Sequence, residues 1–187
     1  SSMVTVADSS SLDLTNGMTL EAWVNPTTVN DWQTVILKEN SAHNDFTYGV
    51  MSNTPYGGPG GWVNLGGARA AESPTRLAAN TWTHVAITLS GSTATLYLNG
   101  GVVASSTAMT NEPSGLGSTP TNYIGKSAGS DPNLSGTLDE FLIYETALSA
   151  ADIAVLAALP AGPPDPAATA GDTRVDLGWT PVAGANT

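Results

Sequence analysis

The 187-residue sequence contains no cysteine, which excludes a disulfide framework, a thiol nucleophile and a thiolate metal site. Two histidines are present, too few for a histidine-built metal centre. Basic residues are equally scarce: five Lys and Arg stand against sixteen Asp and Glu, a formal net charge of −11. Such a chain repels a phosphate backbone and lacks the basic stripe that nucleic acids need, so nucleic acid and anionic membranes are poor partners. No apolar run approaches the roughly 20 residues of a spanning helix. The first residues show neither a basic nor an apolar signal region, so any export signal is expected outside this stretch. Charged residues make up only 11% of the chain while glycine alone numbers 20, the usage of short strands joined by tight turns rather than of long salt-bridged helices. An all-β fold follows. The length accommodates one large domain and a remnant.

Alternation marks the strands. In Met18 to Asn25, Met18, Leu20, Ala22 and Val24 fall on one face and Thr19, Glu21, Trp23 and Asn25 on the other. A shorter strand is predicted at Met3 to Ala7, with turn-forming Asp8 to Asp13 between the two. Further strands are predicted at Gln33 to Lys38, Phe46 to Ser52, Gly61 to Gly66, Asn122 to Lys126 and Gly136 to Tyr144. Thr83 to Leu89 and Thr95 to Leu98 form the clearest pair, followed by Asn99-Gly100 and Val102 to Ala104. Asn-Gly between apolar residues favours a hairpin turn in which both central residues take positive φ. One helix is expected at Ala150 to Leu159, capped by Ser149 with Asp152 three residues on and stapled by Leu148 and Ile153. Residues 160–166, Pro160 to Pro166, read as a stiff proline-rich linker. The remainder, 167–187, has one alternating run, Thr173 to Trp179, and is too short to bury a core.

Four motifs in order, Leu20-Glu21-Ala22-Trp23-Val24, Trp82-Thr83-His84-Val85-Ala86, Leu96-Tyr97-Leu98-Asn99-Gly100 and Gly136 to Tyr144 with Ala147-Leu148-Ser149, resemble the bacterial laminin G-like family of the concanavalin A-like lectin/glucanase type. The resemblance spans residues 1–159. It implies a two-sheet antiparallel jelly-roll sandwich closed by one short C-terminal helix, usually appended to secreted or cell-surface enzymes and adhesins. It also implies a structural Ca²⁺ held by Asp139, with Asp8 and the loop at Asn16 as the best matches for the N-terminal ligands. One ion would there pin an N-terminal strand to a late one. The competing reading of Asp139 is a carboxylate that bonds a turn backbone. The tail from Pro163 through Ala185 resembles the opening of a fibronectin type III domain.

Asp139 and Glu140 are the evident carboxylate pair, but neighbours in a regular strand point to opposite faces, which does not suit acid/base work on one bond. Glu145 would share a face with Asp139 at ~20 Å, beyond the roughly 5 to 9.5 Å that glycoside hydrolysis uses. His84 lies mid-strand without a partner histidine and reads as structural. No nucleophile elbow, zinc-binding helix or phosphate-cradling loop is present. The segment Asn53 to Trp62 places Tyr56 and Trp62 around a glycine stretch, and aromatic faces beside amides suit sugar rings. Trp32, Arg69 and Arg76 would complete such a surface, the arginines by bidentate contact with a uronate carboxylate. Trp62 reads equally well as a core residue, and His43 as either a ligand contact or a solvated loop residue. The function expected is therefore a non-catalytic carbohydrate-binding or adhesion module, monomeric, attached to neighbouring domains of a secreted or cell-surface polypeptide. A spacer that orients those neighbours is the alternative. A jelly-roll glycosidase or lyase is a third reading, and it lacks a clustered acid/base set.

Overall fold

The computed structural model describes residues 3–15, 17–39, 46–52, 58–64, 71–109, 113–116, 119, 121–159, 167–171 and 174–178. Asn16, His43, Tyr56, Arg69 and the linker 160–166 lie outside these residues. Two antiparallel sheets face each other. The first comprises β1 (Val4–Val6), β3 (Thr34–Glu39), β4 (Phe46–Met51), β5 (Gly60–Asn64), β6 (Ala71–Glu72) and β10 (Thr121–Ile124), in the order β1-β10-β3-β4-β5-β6. The second comprises β2 (Met18–Pro26), β7 (Thr83–Ser90), β8 (Thr93–Leu98), β9 (Gly101–Ser106) and β11 (Gly136–Tyr144), in the order β11-β2-β7-β8-β9. This is the expected jelly-roll sandwich. After α1 (Ala150–Ala157), β12 (Ala167–Gly171) and β13 (Arg174–Gly178) pair with each other antiparallel.

The alternation in β2 becomes its packing. Met18, Leu20 and Val24 are fully buried and join Val35, Ile36, Val85, Ile87, Leu89 and Leu96 in one core between the sheets. Burial of such side chains stabilises by roughly 1.5 to 3 kcal/mol each. Gly61 of β5 faces Ile87 of β7 so closely that a Cβ would collide with it, so the missing side chain lets Ile87 pack against the β5 backbone. The β8–β9 turn has φ of 48° at Asn99 and 80° at Gly100, as the Asn-Gly pair predicts. Ser149 accepts from the Asp152 backbone and Asp152 accepts from the Ser149 N–H, a complete capping box; the Ser149 hydroxyl, and next its N–H, by donating to the Asp152 carboxylate hold that group below its ordinary 3.8. Leu148, Ile153 and Leu156 of this region pack on Ala86 and Tyr97, sealing the outer face of the second sheet.

Several boundaries differ from the sequence expectation. The tenth strand stops at Ile124 because Gly125 turns the chain at a φ of 83°. The two-residue β6 carries no alternation long enough to be seen. The largest departure is in β11, where the register slips between Asp139 and Leu142: Asp139 pairs with Trp23, Leu142 with Glu21, and Glu140 takes a φ of 48°. This is a β-bulge. It resets the alternation, so Leu138, Phe141 and Ile143 pack on the core while Leu142 stays 43% exposed. An unbroken strand would bury Leu142 with Leu138. Phe141→Ala is therefore expected to cost about 2 kcal/mol or more in urea unfolding, and Leu142→Ala less than about 0.5 kcal/mol. The reverse order would mean that the strand runs unbulged.

Candidate functional site

The groups that look most like chemistry lie on the outer face of the second sheet. His84 Nε2 stands 2.6 Å from Glu21 Oε2, and the two side chains are 0% and 3% exposed. Tyr144 donates its phenol O–H to the other Glu21 oxygen at 3.1 Å. Trp23 meets the His84 ring edge-on at a centroid distance of 5.5 Å, and Asn99 Oδ1 accepts from the His84 backbone N–H. No substrate reaches a pair so buried, which agrees with His84 as a structural residue. Burial, and next the Glu21 charge, raise the Tyr144 phenol above its ordinary 10.0.

Asp139 and Glu140 are not simply back to back. Asp139 Oδ1 accepts from the Glu140 N–H at 2.9 Å and so closes the bulge, the backbone-bonding alternative raised above. Glu145 lies past the end of β11 and lines a cavity of about 140 Å³ with Ser10, Ser11, Asp13, Leu14 and Thr15.

Of the residues matched to calcium, Asp8 is fully engaged within the fold. Asp8 Oδ1 accepts from Lys38 Nζ at 2.6 Å and from Thr119 Oγ1 at 3.1 Å, and Asp8 Oδ2 accepts from the Thr119 N–H at 2.9 Å. Both oxygens are thus engaged. Asp139 sits on the bulge beside Trp23, and Asn16 lies outside the described residues. Among the described residues no three acidic or histidine side chains converge on one point. Two unit charges about 4 Å apart interact by about 4 kcal/mol at an effective dielectric constant of 20, so a divalent ion placed on Asp8 would meet strong repulsion from the Lys38 ammonium. The described members of this set, Asp8 held against an ammonium and Asp139 bonded to a backbone N–H, do not by themselves fit calcium.

The sugar-surface residues fare differently. Trp32 and Arg76 come together at one end of the sandwich. Loop 27–33 winds around the buried Gln33 side chain, whose amide donates to Thr28 Oγ1 at 3.1 Å and whose carbonyl accepts from the Asn30 N–H at 3.2 Å. Trp32, immediately before it, is half-buried with a φ of 63°, the left-handed region that bulky residues rarely adopt and that clusters at functional sites. The Arg76 guanidinium pairs with Asp31 and donates to the Val29 carbonyl at 3.0 Å. It clips the loop in place with two of its donors, while the side chain stays 43% exposed. Gly58 is held close to the stretch before Arg76: its N–H donates to the Ser73 carbonyl at 2.7 Å, and a Cβ on it would collide with the Thr75 carbonyl. Trp62 pairs with Gly49 in β5, its side chain outside the described part.

Lys38 is the residue that sequence reading missed. A lone lysine ending the apolar run Val35-Ile36-Leu37 is the available signal, because a charge placed among core residues demands a buried partner.

The phenol supplies a test. A raised value in the folded chain means that the unfolded chain releases its proton first, so this contribution is complete below pH 10.0 and is lost as the pH rises above it. Melting temperature is expected to decline as the pH rises above 10.0, and Tyr144→Phe to flatten part of that decline. Identical profiles would show that neither burial nor Glu21 holds the phenol proton in the folded chain.

Comparison with solved structures gives the wider setting. Domain 4 of an extracellular arabinanase from Geobacillus stearothermophilus, solved with arabinotriose, superposes with a TM-score of 0.69 at 20% identity, over 83% of this chain and 72% of that one. The CBM40 module of a Ruminococcus gnavus sialidase, solved with sialyllactose, gives 0.64 at 16% identity, over 79% and 86%. A serum amyloid P-like pentraxin from Limulus polyphemus gives 0.56 at 18% identity, over 76% and 70%. A search of curated proteins returned no match. Residues 1–154 match the model of the concanavalin A-like lectin/glucanases superfamily, and the chain, with its two facing sheets and its motifs in family order, belongs to that family.

Proposed function

We propose that this chain is a non-catalytic carbohydrate-binding module of a larger secreted or cell-surface protein, and that it holds a neutral glycan at the loop end around Trp32. The single observation that carries the reading is the left-handed Trp32, φ 63°, anchored between the buried Gln33 network and the Arg76–Asp31 clip. An indole fixed in a strained backbone on a rigid scaffold is preorganised for stacking on a sugar ring. The likeness to a domain solved with arabinotriose and to a module solved with sialyllactose supports the class of ligand. The absence of catalysis is supported by the burial of Glu21 and His84 and by the use of Asp139 to close a bulge. The paired strands β12 and β13 beyond the proline-rich stretch support a place beside a further domain.

Titration calorimetry against a panel of neutral and acidic oligosaccharides tests this. A neutral glycan is expected to bind, and Trp32→Ala to weaken it about tenfold, or about 1.4 kcal/mol, with the melting temperature checked alongside. Absence of binding to every glycan would leave the chain as a spacer for neighbouring domains. Preference for uronates would contradict the engaged state of Arg76.

A further inference from the structure

We propose that the Lys38 ammonium is the resident cation of the Asp8 site, taking the part that family resemblance assigns to calcium, so that the N-terminal segment is held without a divalent ion. Lys38 lies on β3 with its side chain 1% exposed. A buried ammonium persists only where carboxylates and hydrogen bonds replace its water. Three groups do so: Asp8 Oδ1 at 2.6 Å, Thr119 Oγ1 at 3.1 Å and Asp13 Oδ1 at 3.4 Å.

The partners come from separate parts of the chain. Asp8 and Asp13 belong to the segment between β1 and β2, while Thr119 lies just before β10. The hydrogen bonds continue outward, with Thr119 Oγ1 2.7 Å from Asn122 Oδ1 on β10 and Asn122 Nδ2 donating to the Val6 carbonyl on β1 at 3.5 Å. One positive charge therefore ties the N-terminal segment to β3 and β10. A bound ion at Asp8 would make the same ties, and it would need the same carboxylate oxygens. The two arrangements exclude each other, and the hydrogen bonding of both Asp8 oxygens favours the ammonium. The inference is independent of glycan binding, since none of these residues lies in the Trp32 loop.

The experiment is a melting series on the whole chain in excess EDTA and in millimolar Ca²⁺, with Asp8→Asn, Lys38→Met and the double variant. The wild-type melting temperature is expected to be the same in both conditions. Each single variant is expected to melt lower by about 5 to 15 °C, and the double variant no lower than the worse single one, because both remove one interaction. A wild-type melting temperature that drops in EDTA overturns the proposal, as do single-variant losses that add fully in the double. Should Lys38→Met fail to fold, the wild-type comparison in EDTA and Ca²⁺ still decides.

Discussion

The two-sided burial of β2 is the constraint on which the rest depends. This strand lies between β11 and β7, with one face in the core and the other beneath α1 and its approach. Its apolar face needs only shape. Its polar face needs partners, because an unpaired buried polar group costs about 1 to 3 kcal/mol. Thr19 donates to the Thr146 carbonyl and accepts from the Leu148 N–H, and Glu21 takes His84 and Tyr144. These bonds aim the chain leaving β11 into Ser149, so the helix cap and the Ile153 contact follow from what β2 requires of its neighbours.

That requirement also explains why the most reactive-looking side chains, Glu21 and His84, are buried. A carboxylate, an imidazole and a phenol in contact resemble an acid/base set, yet they are sealed by the packing they support. Catalytic groups need access to a substrate atom, and Glu21 and His84 are 3% and 0% exposed. Chemistry at the end of the sandwich is different in kind. There the backbone is turned by Gln33, clipped by Arg76 and strained at Trp32, so rigidity serves to present a surface.

The sandwich was legible because its signals are local and periodic: alternation in β2, Asn-Gly before β9, Ser149 with Asp152 before α1. What stayed hidden depends on contacts between distant residues. Nothing in Gly136 to Tyr144 announces that Glu140 adopts a positive φ, since a bulge is set by the register against β2 as much as by its own residues. Trp32 and Arg76 were legible as surface candidates, while the pairing of Arg76 with Asp31, between residues far apart in the chain, was not. Lys38 and Asp8 are separated by thirty positions, and no spacing rule connects a strand lysine with a turn aspartate.

The distribution of positive charge narrows the ligand further. Of the five basic residues, Lys38 is buried against Asp8 and Asp13, Arg76 is held by Asp31, and the Lys126 ammonium lies 5.6 Å from the centre of the Tyr123 ring. Each of these cations serves the fold. The sixteen acidic residues outweigh the five basic ones, and a net charge of −11 disfavours a polyanionic partner. The neutral glycan proposed for the loop end meets no such barrier. The scarcity of basic residues first excluded nucleic acid as a partner, and the same scarcity separates neutral glycans from acidic ones.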